Sequence, residues 1–108
     1  METVNIKKVE DGISKYVDTV LLADMPKNDV KTFAIGVGIA IKLRTTLPTW
    51  LNMLGIVDQD GNVNIEIARE EAKKRIPEDG MILDVDKIGK TFVFEKEDID
   101  KLYQLIVE

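Results

Sequence analysis

Between Lys31 and Lys42 lie ten residues without a charge, inside the apolar stretch Val30 to Leu43, VKTFAIGVGIAIKL. Nothing else in the chain constrains its fold as strongly. Ten residues are too few to cross a bilayer, which needs about 20, so the stretch belongs to a protein core. Large residues (Phe33, Ile35, Val37, Ile39, Ile41) alternate with small ones (Ala34, Gly36, Gly38, Ala40), which is strand periodicity. On a helix, Val30, Phe33, Val37 and Ile41 form one face and Ile35, Ile39 and Leu43 the opposite one. Asn28 and Asp29 can cap such a helix, and the pattern runs on to Leu47, beyond the usual length of a strand. Those two features favour a helix, although glycines weaken it by roughly 0.8–1 kcal/mol each, and the strand alternative stays open. A helix apolar all round is a buried helix. Gly38→Leu is therefore expected to overpack it, and Gly36 and Ala40 are expected to be equally intolerant.

The elements around this stretch are mostly helical. Residues 8–24 place Val9, Ile13, Tyr16, Val17 and Val20 on one amphipathic stripe, with Gly12 weakening the first turns and Met25-Pro26 stopping the helix. Pro48 is expected to end the central helix near Leu47 and to start a short one, PTWLNML, closed by Gly55. Trp50 belongs in or near the core. Asn64 can cap a helix over 65–75 whose stripe is Ile65, Ala68, Ala72 and Ile76. Its outer face pairs Glu70 with Lys74 and Glu71 with Arg75. Pro77 to Gly80 form a turn. MILDV (81–85) and TFVFE (91–95) alternate as a hairpin joined by Asp86 to Lys90. A last helix, 97–107, carries Ile99, Leu102, Tyr103 and Ile106 on one side, with acidic residues at its amino end to suit the helix dipole. The expectation is a single α+β domain, mainly α, over residues 1–108. Its order is helix-helix-(short helix)-helix-β-hairpin-helix around a buried central helix.

Chemistry is constrained by what is missing. The chain has no histidine, no cysteine and one serine, Ser14. Ser-His and Cys-His nucleophiles and Cys/His zinc sites are excluded. Carboxylate or lysine chemistry remains, and it needs a cleft. The run Asp58 to Glu66 alternates oxygen side chains as calcium loops do. Its glycine is misplaced, however, and Arg69 stands where the bidentate glutamate belongs, so it reads as a turn feeding a capped helix. Gly36-Val-Gly38 is a fragment of a dinucleotide fingerprint without the third glycine. No cofactor and no metal are expected.

The charge is −5, and the halves differ: 7 basic and 6 acidic residues in 1–54, 8 basic and 14 acidic in 55–108. That balance argues against direct nucleic-acid binding. It leaves room for a protein partner or for self-association: three other substantial helices and one hairpin are few to cover a helix apolar all round, so some apolar surface of that helix, or of Leu105 and Val107, is expected to stay exposed as an interface. A candidate partner surface combines Asp84, Asp86, Asp98 and Asp100, which would steer association, with Leu105 and Val107. The alternative reading of Glu95 to Asp100 is a solvated helix start. The amino-terminal residues do not resemble a signal peptide, so the cytoplasm is the expected compartment.

The segment 54–106 resembles small uncharacterised proteins encoded in phages and prophages of Gram-positive bacteria. The shared features are DGNVNI before a charged helix, IPEDG, then IG and F-x-F before EDIDKLY; the first two helices are similar as well. The resemblance implies a bacterial host cytoplasm or a virion, and it brings no activity or functional residue with it. The leading expectation is a non-enzymatic protein-interaction module acting in virion assembly or on a host protein. An acidic inhibitor of a host defence or nucleic-acid-binding protein is the alternative, and a small carboxylate-dependent enzyme the third.

Overall fold

The computed structural model describes residues 3–26, 28–85 and 91–108. It is a mainly helical α+β arrangement of four α-helices and two small two-stranded antiparallel sheets. The chain opens with a strand that hydropathy did not reveal, β1 (Thr3–Asn5). It pairs antiparallel with β2 (Asn62–Asn64) in the register Val4 to Val63. Each strand has a single buried residue between polar ones, too short a pattern to register as period two. Both strands also end in a helix cap. The Asn5 Oδ1 accepts from the Lys7 N–H at 3.0 Å and starts α1 (Ile6–Tyr16). The Asn64 Oδ1 accepts from Glu66 and Ile67 and starts α3 (Ile65–Arg75). These satisfy amide groups that would otherwise lack partners at helix starts.

Helix α1 buries Val9, Gly12, Ile13 and Tyr16. A π-helical turn, Val17–Leu21, then extends it, the Leu22 N–H reaching back to the Val17 carbonyl at 2.9 Å. This wider turn corrects the expected stripe. Its bonding over five residues delays the phase, so Val20 faces outward while Val17 and Leu22 are buried. Gly12 does more than loosen a turn. A Cβ there would lie 2.5 Å from Ile106 Cγ1, so the glycine sets how closely α1 meets the last helix.

The central stretch is helical. Asp29 caps α2 (Val30–Met53), accepting from the Lys31 N–H. The helix runs through Pro48 as one element, which overturns the expected break into two. Proline inside a helix costs about 3 kcal/mol. Leu47 and Leu51, one turn apart and both buried, are worth about 1.5–3 kcal/mol each, enough to hold the turn closed. Gly55 (φ +71°) ends it in a Schellman motif, with Gly55 N–H to Asn52 and Ile56 N–H to Leu51. Trp50 is half-buried against the core.

Helix α3 spans the expected residues, and Ile65, Ala68, Ala72 and Ile76 are all buried. Lys74 pairs with Glu71 rather than Glu70, at 3.2 Å. The ammonium of Lys96 donates to the Lys73 and Ile76 carbonyls at 2.6 Å each, closing the end of this helix. After the Pro77–Gly80 turn, β3 (Met81–Val85) pairs with β4 (Thr91–Phe94), with an irregularity between Ile82 and Asp84. Phe94 sits edge-on to Tyr16, with ring centroids 5.8 Å apart. Finally α4 (Lys96–Val107) buries Ile99, Leu102 and Ile106 against α1 and α3. Its start is a reciprocal capping box between Glu95 and Asp98.

Candidate functional site

Helix α2 carries no Asp or Glu along its 24 residues. Its buried side comprises Thr32, Gly36, Ile39, Ala40, Leu43 and Leu47. The adjoining face is left uncovered. Val30 is 80% exposed, Phe33 72%, Val37 41% and Ile41 52%. The central helix is therefore buried along one side, not enclosed as its composition suggests. Two layers of helix and two short ladders cannot surround a helix of this length. Gly36 is a packing glycine, since a Cβ would stand 2.7 Å from Leu22 Cδ1. Gly38 has nothing within 4 Å of that position. The expectation that Gly38→Leu overpacks the core is thus overturned: its face is open.

Beside this face runs a groove of about 640 Å³, between the π turn and the first half of α2. Leu22, Met25, Gly36 and Ala40 line it, Phe33 and Val37 form a lip, and Asp18 and Arg44 supply its charge. The π turn shapes this wall, a placement common at functional sites. Thr32 also lines the groove. It is 6% exposed, and its hydroxyl has no hydrogen-bond partner. Arg44 has one weak internal bond, from Nε to the Ala40 carbonyl at 3.4 Å, and no salt bridge among the described residues. A second, smaller void of about 40 Å³ lies among Val9, Leu51, Ala72 and Ile106, with Arg69 and Tyr103 also lining it.

Of the acidic surface read from the sequence, Asp98 and Asp100 form bonds within the molecule. Asp98 receives the Tyr16 hydroxyl at 2.8 Å on one oxygen and the Glu95 N–H at 2.7 Å on the other. Burial, followed by this bond to Asp98, raises the Tyr16 phenol above its ordinary value. Asp100 accepts from Lys73 and from Arg69, whose guanidinium lies 4.7 Å over the Tyr103 ring. The Lys73 bond, and then Arg69, hold the Asp100 carboxyl below its usual range. Tyr103 in turn donates to Glu66. Leu105 and Val107 are half-buried against the core. The backbone of Asp84 pairs with Phe92, and Asp86 lies outside the described residues.

The Asp58–Glu66 loop uses its first carboxylate internally: Asp58 Oδ1 accepts from the Asp60 and Asn62 amides at 2.9 Å each. Among the described residues no three acidic side chains stand together as a metal site requires, and no helix is long and apolar enough to span a membrane. The Val30–Ile41 face was legible in the sequence as a face, and the few elements available to cover this helix pointed to some exposed apolar surface on it, though not to which side. Another signal was the cationic flank of Lys31, Lys42 and Arg44, without any acid. No family model, curated protein or solved structure matches the chain.

Proposed function

We propose that this chain is a non-enzymatic protein-interaction module that engages its partner through the uncovered face of α2, in the phage or prophage setting that its sequence resembles. A role in virion assembly or on a host protein fits that setting. The observation that carries the reading is the contiguous row Val30, Phe33, Val37 and Ile41. These four side chains expose roughly 450 Å² of apolar surface. That is the size of the largest patch on a typical monomer, about 300–600 Å², which is often functional. The groove behind Phe33 and the unpartnered Thr32 hydroxyl extend the same surface inward.

The acidic-inhibitor reading draws its charge from residues that include Asp98 and Asp100, and both are engaged inside the molecule. The α2 face is the better-supported surface. Affinity purification from infected or induced cells, with wild type and Phe33→Asp side by side, tests it. A protein captured by wild type and lost with a folded Phe33→Asp is the expected result. Equal capture by both would place the interaction elsewhere.

A further inference from the structure

We infer that the partner of the α2 face is a second copy of the same chain, docked antiparallel about a two-fold axis at Val37. The inference rests on the interaction-module reading and names its occupant.

Counted from Val37, the exposed positions Val30, Phe33, Ile41 and Arg44 fall at −7, −4, +4 and +7. That spacing reads the same in both directions. At about 100° per residue all five lie within an arc of roughly 80°. A two-fold axis perpendicular to the helix therefore sets Val37 against its own copy. Phe33 then lies beside Ile41 of the second copy, at the same height and on opposite sides of the seam, so the two side chains interdigitate. Val30 meets the aliphatic stem of Arg44 in the same way. An isologous interface requires this self-complementarity.

Charge points to the same register. Asp29 and Arg44 are at −8 and +7, so each guanidinium reaches the carboxylate of the other copy on its own side of the seam. Arg44 has no salt bridge among the described residues, and Asp29 uses Oδ1 to cap α2. A parallel pairing would instead set Arg44 against Arg44. Close approach is possible because Ala34 and Gly38 lie on the open flank, with nothing within 4 Å of a Cβ at Gly38. The four large side chains supply roughly half of the ~800 Å² per partner of a standard interface. Ala34, Gly38, Thr45 and the stems of Lys31 and Arg44 flank them.

The chain has no cysteine, so cross-linking reads the register directly. Val37→Cys is expected to form a disulfide dimer under mild oxidation. Phe33→Cys alone is not, because antiparallel pairing holds the two copies of residue 33 about 12 Å apart along the helix. Mixed Phe33→Cys and Ile41→Cys chains are expected to cross-link with each other. Sedimentation should show a dimer for wild type, and Phe33→Asp should raise its dissociation constant at least about tenfold, with circular dichroism confirming its fold. Efficient self-cross-linking of Phe33→Cys would overturn the antiparallel register. A wild type that stays monomeric to about 1 mM would overturn the dimer, as would a dimer unaffected by Phe33→Asp. A monomer whose capture of another protein still depends on Phe33 would refute the second copy and leave the interaction module standing.

Discussion

Two glycines in two helices should respond in opposite directions to the same added methyl group. Replacing glycine by alanine in a helix interior gains about 1 kcal/mol from backbone propensity. At Gly38 nothing within 4 Å opposes the new Cβ. Gly38→Ala should therefore stabilise by about 1 kcal/mol, which for a domain near this size is about 4–8 °C in Tm. At Gly12 the Cβ would lie 2.5 Å from Ile106 Cγ1 and 3.6 Å from the backbone Cα behind it. Carbon atoms prefer about 3.5–4.0 Å, and Ile106 is itself buried, so α1 and α4 must part. Overpacking of this kind costs about 1–3 kcal/mol or somewhat more. Set against the propensity gain, Gly12→Ala should be destabilising by about 1 kcal/mol. In an Ile106→Ala background the clash disappears and the same change should become neutral or favourable. Thermal melts of wild type, the three single variants and the Gly12→Ala/Ile106→Ala double variant, at a concentration where wild type is monomeric, decide the matter. A Gly12→Ala protein that melts above wild type, as Gly38→Ala should, would refute the close α1–α4 contact.

Tyr16→Phe removes a hydrogen bond to a carboxylate and should cost about 1.5–3 kcal/mol at neutral pH. The Tyr16 phenol is raised in the folded state, so its contribution is full below the unfolded tyrosine value of about 10 and declines above it. The Tm gap between wild type and Tyr16→Phe should therefore narrow at about pH 11, and a constant gap would dismiss the linkage. Asp98→Lys should destabilise by about 2 kcal/mol or more, because it removes both the α4 cap and the acceptor for Tyr16. Asp100→Lys, at a partly exposed pair with Arg69 and Lys73, should do less harm in urea denaturation. Finding the two variants equally stable would count against the structural role of Asp98.

How much of this was legible in the sequence depends on how local the determining physics is. Helix α3 was readable end to end, since its cap (Asn64), stripe and stop (Pro77) all lie within fourteen residues. The hairpin strands and the last helix were legible for the same reason. Pro48 misled because its cost is local while the burial of Leu47 and Leu51 is tertiary. The β1–β2 ladder was invisible because it joins residues some sixty positions apart through three-residue strands. The π turn left no composition signal, and without it Val20 reads as core. At the candidate site, the sequence marked Val30, Phe33, Val37 and Ile41 as one face. The small number of elements available to cover this helix pointed to exposed apolar surface on it, but which side stays open depends on how they pack, which no window of residues records. The internal bonds of Asp98 and Asp100 were illegible for a related reason: a carboxylate reads as solvated until its partner, such as Tyr16 82 positions away, is seen.

The packing of α1 against α4 has a consequence for how the chain is made. The apolar side of α1, with Val9, Ile13 and Tyr16, is finished by residues at the far end of the sequence: Phe94, Asp98 and Ile106. On a ribosome adding 5–20 residues per second, α1 is synthesised roughly 4–18 s before its cover. The β1 strand waits in the same way for β2. Helix α3, whose own signals are local, can form as it appears, but the core cannot close around it until the last turn of α4 is released. Closure of this core thus waits for α4, and until then the nascent chain presents the α1 side and the α2 face together to whatever chaperone or sister chain is near.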